Sequence, residues 1–131
     1  LSSLAEIEDW RCQAAGAGRP LPAALHFDTG INRLGLTEKE TGRLLADDDL
    51  LSGIDVTLVM SHLACADETN HPLNGRQLKR FRAIRDAFPL VPASLANSAG
   101  AHLGPDYHFD LVRPGIAECG VRLNADLHGP S

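Results

Sequence analysis

Short apolar segments alternate with amphipathic ones along this chain, and no hairpin turn joins any two of the apolar segments. Residues 23–28 read as a strand after Pro20 and Pro22. Residues 54–60 read as a second, rich in β-branched side chains and suited to burial on both faces. Residues 93–96 and 109–112 supply two more. Between them lie helical signals. Ser3-Leu4-Ala5-Glu6 has the spacing of a capping box and precedes Leu4, Ile7 and Trp10 at helical intervals, fading near Gly16 and Gly18. Thr37-Glu38-Lys39-Glu40 is a second box, opening a helix that carries Leu44 and Leu45. The longest helix, over 75–88, presents Leu78, Phe81, Ile84 and Phe88 along one stripe and is stopped by Pro89 and Pro92. A brief helical turn is expected over 98–103, and Asn74-Gly75 opens a helix instead of joining strands. This order predicts an α/β fold of β-α-β units with a parallel sheet. A complete (β/α)₈ TIM barrel takes roughly 250 residues, so 131 residues amount to a partial one, about half.

The net charge of -5 argues against a nucleic-acid partner or an anionic membrane, because no basic stripe is available to neutralise phosphates. Arg76, Lys79, Arg80, Arg82 and Arg85 do cluster, but on the predicted long helix, where they read as a solvated face. Cys12, Cys65 and Cys119 lack the paired spacing of disulfide frameworks or zinc sites, so a reducing cytoplasm is expected. The longest apolar run, 56–60, is too short to span a membrane. No basic start leads into an apolar core, so no signal peptide is expected. The sequence opens on Leu1 with residues that already approach a helix, which suggests truncation.

In β/α proteins chemistry collects where strands end. After the first predicted strand comes D-T-G-I-N-R-L-G, with Asp28, Asn32 and Arg33. S-H-L-A-C-A-D-E follows the second, with His62, Asp67 and Glu68. N-S-A-G follows the third, with Asn97 and Ser98, and R-P-G-I-A the fourth, with Arg113, Gly115 and Ile116. Asn97-Ser98 before a helical turn offers a hydroxyl and backbone N–H groups to an anion, and Gly115-Ile116 adds further N–H donors. Two plainer roles stay open: Ser98 as a helix cap and Gly115 as a turn. His62 has no second histidine or cysteine at a ligand spacing, so no metal is expected. Asp67 and Glu68 read as solvated loop charges.

These four motifs, in order and spacing, resemble the barrel-domain motifs of alanine racemases, and H-P-L-N-G-R-Q-L-K-R-F resembles a helix of that family. The resemblance covers roughly residues 1–117. It implies a fold-type III pyridoxal-phosphate enzyme with a barrel followed by a β-rich domain, interconverting L- and D-alanine for peptidoglycan as a homodimer. This chain then corresponds to about the C-terminal half of the barrel, with 1–120 as partial cofactor-binding domain and 121–131 as a divergent tail. The resemblance assigns Arg33 to the cofactor's phenolic oxygen and Arg113 to the pyridine nitrogen, with His62 hydrogen-bonding and steadying Arg113. Ser98 and the Gly115–Ile116 backbone take the phosphate, with Asn97 beside them. A guanidinium does not readily give the ring nitrogen a proton, so the ring is a weaker electron sink, which favours racemisation over side reactions.

The chain departs from the family in its proton-transfer groups. The cofactor lysine belongs to a motif near the start of the barrel that has no counterpart here; Lys39 and Lys79 fall within predicted helices. The catalytic tyrosine comes from the family's β-rich domain, and Tyr107, in a predicted loop, is no substitute. No catalytic residue is therefore expected in this chain. His26 occupies the position where many members carry a carbamylated lysine, and a neutral histidine offers no equivalent negative acceptor to Arg33. R-P-G-I-A-E-C-G replaces the usual R-P-G-I-A-L-Y-G. The chain alone is accordingly expected to be inactive. Two other readings are a non-catalytic pyridoxal-phosphate-binding module and a decayed fragment that aggregates through open sheet edges.

Overall fold

The computed structural model describes residues 1–115, so Ile116, Cys119 and the expected 121–131 tail lie outside the described residues. Helix α1 (Leu4–Ala17) starts at Ser3, whose hydroxyl accepts from the Glu6 amide at 3.2 Å. Only half of the expected box forms there, because the Glu6 carboxylate reaches past Ser3 to the amide of Ser2. Helix α2 (Glu38–Ala46) has the complete box: the Glu40 amide donates to Thr37 Oγ1 and the Thr37 amide donates to Glu40 Oε2. Glu40 also accepts from the Leu4 amide at 3.2 Å, tying the starts of α1 and α2 together.

The sheet has order β1-β2-β3, all parallel: β1 (Leu21–His26), β2 (Ile54–Met60) and β3 (Ala93–Ser94). The predicted α/β class with parallel strands is therefore what forms. β1 begins earlier than expected, since the Leu21 amide donates to Gly53 O at 3.2 Å and Pro22 is tolerated near a strand start. Its other edge meets Leu1, whose ammonium donates to Ala24 O and whose carbonyl accepts from the His26 amide.

β2 is not buried on both faces. The register slips between Ala23 and Ala24, which pair with Val56 and Leu58, so Thr57 is an extra residue that reverses the alternation. Leu25, Phe27 and Val59 join the helix-side core with Ile7, Leu44, Phe81 and Ile84. On the opposite face Ala24, His26, Leu58 and Met60 stay half-buried, because no layer of described residues covers them.

Helix α3 (Pro72–Ala87) starts before the expected Gly75, with Pro72 in its first turn and His71 Nδ1 accepting from the Leu73 amide at 3.1 Å. Leu78, Phe81 and Ile84 are buried as their spacing predicts. Beyond β3 the expected helical turn over 98–103 is 3-10 in type, over Gly100–His102, followed by another at Pro105–Tyr107.

The expected strand over 109–112 does not form. The Asp110 carboxylate takes the Ala93 N–H at 2.9 Å, the hydrogen that a fourth strand's carbonyl would have accepted, and the Asp110 amide donates to Ala93 O at 3.0 Å. Phe109 sits at φ 49°, outside the extended region, with its ring edge-on to Phe81 at 4.9 Å. Among the described residues beyond β3, parallel pairing returns as a single bridge between Asn97 and Arg113.

Candidate functional site

At the C-terminal ends of the strands a pocket of about 330 Å³ is lined by His62, Asn97, Ser98, Arg113 and Gly115, with Leu63 in its wall. His62 follows the last residues of β2. Asn97 and Ser98 follow β3 after the buried pair Leu95 and Ala96. Arg113 is brought in by its amide, which donates to Ala96 O at 2.9 Å. Five residues separated by up to 53 positions thus reach one cavity: His62, Asn97 and Ser98 because parallel strands end on the same side, and Arg113 and Gly115 because their segment is held against Ala96.

The Arg113 guanidinium is half-buried. Its Nη2 donates to the Ser61 carbonyl and, at 3.5 Å, to that of Leu95. Its Nη1 is buried with no hydrogen-bond partner. Burial lowers the Arg113 pKa from its ordinary value, yet a guanidinium remains a cation at neutral pH.

Asn97 Oδ1 accepts from the Gly100 amide at 2.8 Å, which fixes the side-chain amide and turns Nδ2 toward His62 Nε2 at 3.4 Å. An amide nitrogen only donates, so in that contact the imidazole is neutral with its proton on Nδ1. Burial, then Arg113 and Arg33, hold the His62 pKa below 6.5. The resemblance led to a hydrogen bond from His62 to Arg113. Among the described residues none joins them: Arg113 Nη2 is taken by main-chain carbonyls, and the two side chains interact through charge.

His26 belongs to the same electropositive group. Its Nε2 is buried and unpartnered, and its pKa is lowered first by burial, then by Arg113, His62 and the N-terminal ammonium, with Asp28 opposing. The Gly115 amide donates to Ser98 Oγ at 2.8 Å.

Arg33 does not line the pocket. It is exposed on the loop after β1, which Asp28 shapes by accepting from the Gly30 and Asn32 amides at 2.9 and 3.2 Å. Its charge nonetheless reaches His62. Lys39 and Lys79, the two lysines of the chain, are exposed on α2 and α3. Tyr107 lies in the second 3-10 turn. Among the described residues no cluster of three or more His, Cys, Asp or Glu is arranged to hold a metal ion, and no helix is long and apolar enough to cross a membrane.

Behind the pocket, Thr29, Ser61 and Gln77 form a buried polar group that the sequence reading passed over. The available signal was Gln77 itself, a polar residue one position before the apolar stripe of Leu78, Phe81 and Ile84.

Residues 1–122 match the family model described as alanine racemase, N-terminal domain. The chain is 54% identical over 116 residues to an alanine racemase of Rhodospirillum rubrum, covering 88% of this chain and 31% of that protein. A catabolic alanine racemase of Mesorhizobium japonicum is 49% identical over 121 residues, which is 92% of this chain and 32% of the relative. The crystal structure of the Bartonella henselae alanine racemase with covalently bound pyridoxal phosphate superposes with a TM-score of 0.91 at 36% identity, over 99% of this chain and 38% of that one. The chain spans about a third of the length of the curated relatives it matches.

Proposed function

The chain belongs to the alanine racemase N-terminal domain family, and from that membership we propose that it grips pyridoxal phosphate as part of a complete alanine racemase. The parent enzyme, in this reading, is a cytoplasmic homodimer with a whole (β/α)₈ barrel, of which this chain is about the C-terminal half, and supplies D-alanine for peptidoglycan.

The observation that carries the reading is the buried, unpartnered Nη1 of Arg113 in a wall shared with His62, Asn97, Ser98 and Gly115. A buried donor without an acceptor is costly and rare, and an aromatic nitrogen with a free lone pair is an acceptor that relieves it. The pocket's volume falls at the small end of the range for cofactor sites. The residues present therefore fit a phosphorylated pyridine.

Arg113 would face the ring nitrogen and keep it unprotonated. His62, held neutral, would stand beside that guanidinium without adding a second charge. Ser98, Gly115 and Ile116 would bind the phosphate, with Asn97 orienting the turn that carries them through its bond to Gly100. Arg33 would take the phenolic oxygen, reaching it by movement of its exposed loop. When bound, pyridoxal phosphate supplies an electron sink that lets the α-hydrogen of alanine leave as a proton.

Neither lysine is positioned to accept or return that proton, since both lie on exposed helix faces and neither lines the pocket. The chain alone is therefore a grip without a proton-transfer apparatus. Two measurements test this. Equilibrium dialysis should show the folded chain retaining pyridoxal phosphate, and Arg113→Ala should abolish retention. Chiral chromatography should find no D-alanine formed from L-alanine above the rate given by free cofactor. Absence of binding overturns the proposed grip; racemisation above the free-cofactor rate overturns the inactivity.

A further inference from the structure

Helix α3 sends one amide to the strand ends without lining the pocket. Gln77 is completely buried. Its Nε2 donates to the His62 carbonyl at 2.8 Å and to Thr29 Oγ1 at 3.1 Å, and its Oε1 accepts from the Ala64 amide at 2.9 Å. A carbonyl only accepts and a backbone N–H only donates, so the orientation of this side chain is fixed by partners that cannot exchange roles. It grips the C=O of residue 62 and the N–H of residue 64, two groups a neighbouring strand would have engaged. Below it, Thr29 Oγ1 shares a 2.7 Å hydrogen bond with Ser61 Oγ, and Arg80 Nη1 donates to Thr29 O at 3.1 Å.

The clamped segment carries the pocket's machinery. The Ser61 carbonyl holds Arg113, the His62 ring meets Asn97, and Leu63 and Ala64 form part of the wall. Leu63 is also pressed against Gly100, where even one methyl would come within 2.7 Å of its Cδ1. A small displacement of 61–64 therefore moves the imidazole, the support of the guanidinium and the turn after Ser98 together.

We propose that Gln77 is a positioning residue for this pocket: from the far side of the chain it clamps 61–64, and through them sets His62 and Arg113. The claim about the cofactor rests on reading the pocket as a pyridoxal-phosphate site; the clamp itself does not.

The test compares the whole chain with its Gln77→Met variant, which keeps side-chain length and removes every hydrogen bond. His62, which faces Arg113, Arg33 and His26, is followed by NMR through its Hε1 resonance without cofactor. Its midpoint should rise toward 6.5 in the folded variant as water enters a loosened wall. Exchange of the Ala64 amide should quicken at least tenfold, and the Kd for pyridoxal phosphate should weaken about tenfold. An unmoved His62 midpoint or an unchanged Kd overturns the proposal. Should the variant not fold, exchange in the wild-type chain decides, since an unprotected Ala64 amide excludes the clamp. A wild-type chain that binds no pyridoxal phosphate defeats the reading of the pocket, and the His62 shift alone then decides the clamp.

Discussion

The Gly115 amide donates to Ser98 Oγ at 2.8 Å, so the segment after β3 and the one after Arg113 are already engaged with one another. An entering phosphate competes for both. Hydrogen bonds to a charged group contribute about 1.5–3 kcal/mol, and each 1.4 kcal/mol is roughly tenfold in Kd. Ser98→Ala should therefore weaken pyridoxal phosphate at least tenfold and leave the affinity for unphosphorylated pyridoxal unchanged. Dialysis with the two compounds side by side makes the comparison; equal losses for both remove Ser98 from the phosphate site.

Arg113 presents the opposite balance between binding and folding. It is a half-buried cation with no carboxylate in contact among the described residues, one hydrogen-bonded Nη2 and one orphaned Nη1. Desolvating such a charge offsets much of what its hydrogen bonds contribute. Arg113→Met, which keeps the apolar stem, should hold Tm within about 3 °C of the wild type, a small shift for a domain this size. Its pyridoxal phosphate affinity should fall at least tenfold. A Tm loss of 10 °C in a calorimetric scan would instead make Arg113 a pillar of the fold.

What the sequence made legible, and what it hid, follows the range of the forces involved. α2 and its capping box were legible because Thr37 and Glu40 satisfy each other within a single turn. Leu78, Phe81 and Ile84 were legible because helical periodicity is local. The strand over 109–112 was misread because its apolar residues look extended, whereas the deciding contact is the Asp110 carboxylate on Ala93, 17 positions away. His62, Asn97, Ser98, Arg113 and Gly115 meet in one pocket, although Arg113 and Gly115 follow no strand of their own. Arg33 stands apart, exposed on a loop whose Gly30 and Asn32 amides donate to Asp28. Gln77 stayed hidden because its partners lie 13 to 48 residues away.

Gly35 illustrates a motif glycine whose role is packing. It lies beside the bridge between Phe27 and Leu36, at φ 112°, and an added Cβ would come within 2.7 Å of the Asp28 amide nitrogen and 2.9 Å of the Phe27 carbonyl carbon. Both neighbours are backbone, so neither yields cheaply, and the φ itself is strained for any other residue. Gly35→Ala should cost about 2 kcal/mol or more of stability, beyond the usual glycine-to-alanine range. Urea denaturation reads this as a lower midpoint at unchanged slope. A gain in stability would mean that the loop after β1 relaxes freely, and with it the position of Arg33.

The last prediction concerns pH, and its sign follows from the two lowered histidines. His26 and His62 are both held below 6.5, in each case first by burial and next by Arg113. An unfolded chain takes up their protons near pH 6.5, whereas the folded chain resists until lower pH. As pH falls through 6.5 the unfolded state binds more protons, so stability declines, and the decline ends below the folded midpoints. Glu40 acts in a separate window. Its carboxylate, held below 4.5 chiefly by the Thr37 and Leu4 amides, contributes stability above 4.5 that is lost as pH falls through its folded midpoint. Tm measured from pH 8 to pH 3 should therefore drop in two stages. Replacing both histidines by asparagine should flatten the upper stage and leave the lower one, while Glu40→Gln should do the reverse. A Tm that stays level from pH 7.5 to 5 in the wild-type chain would show that these imidazoles ionise freely, and that His62 does not stand neutral beside Arg113.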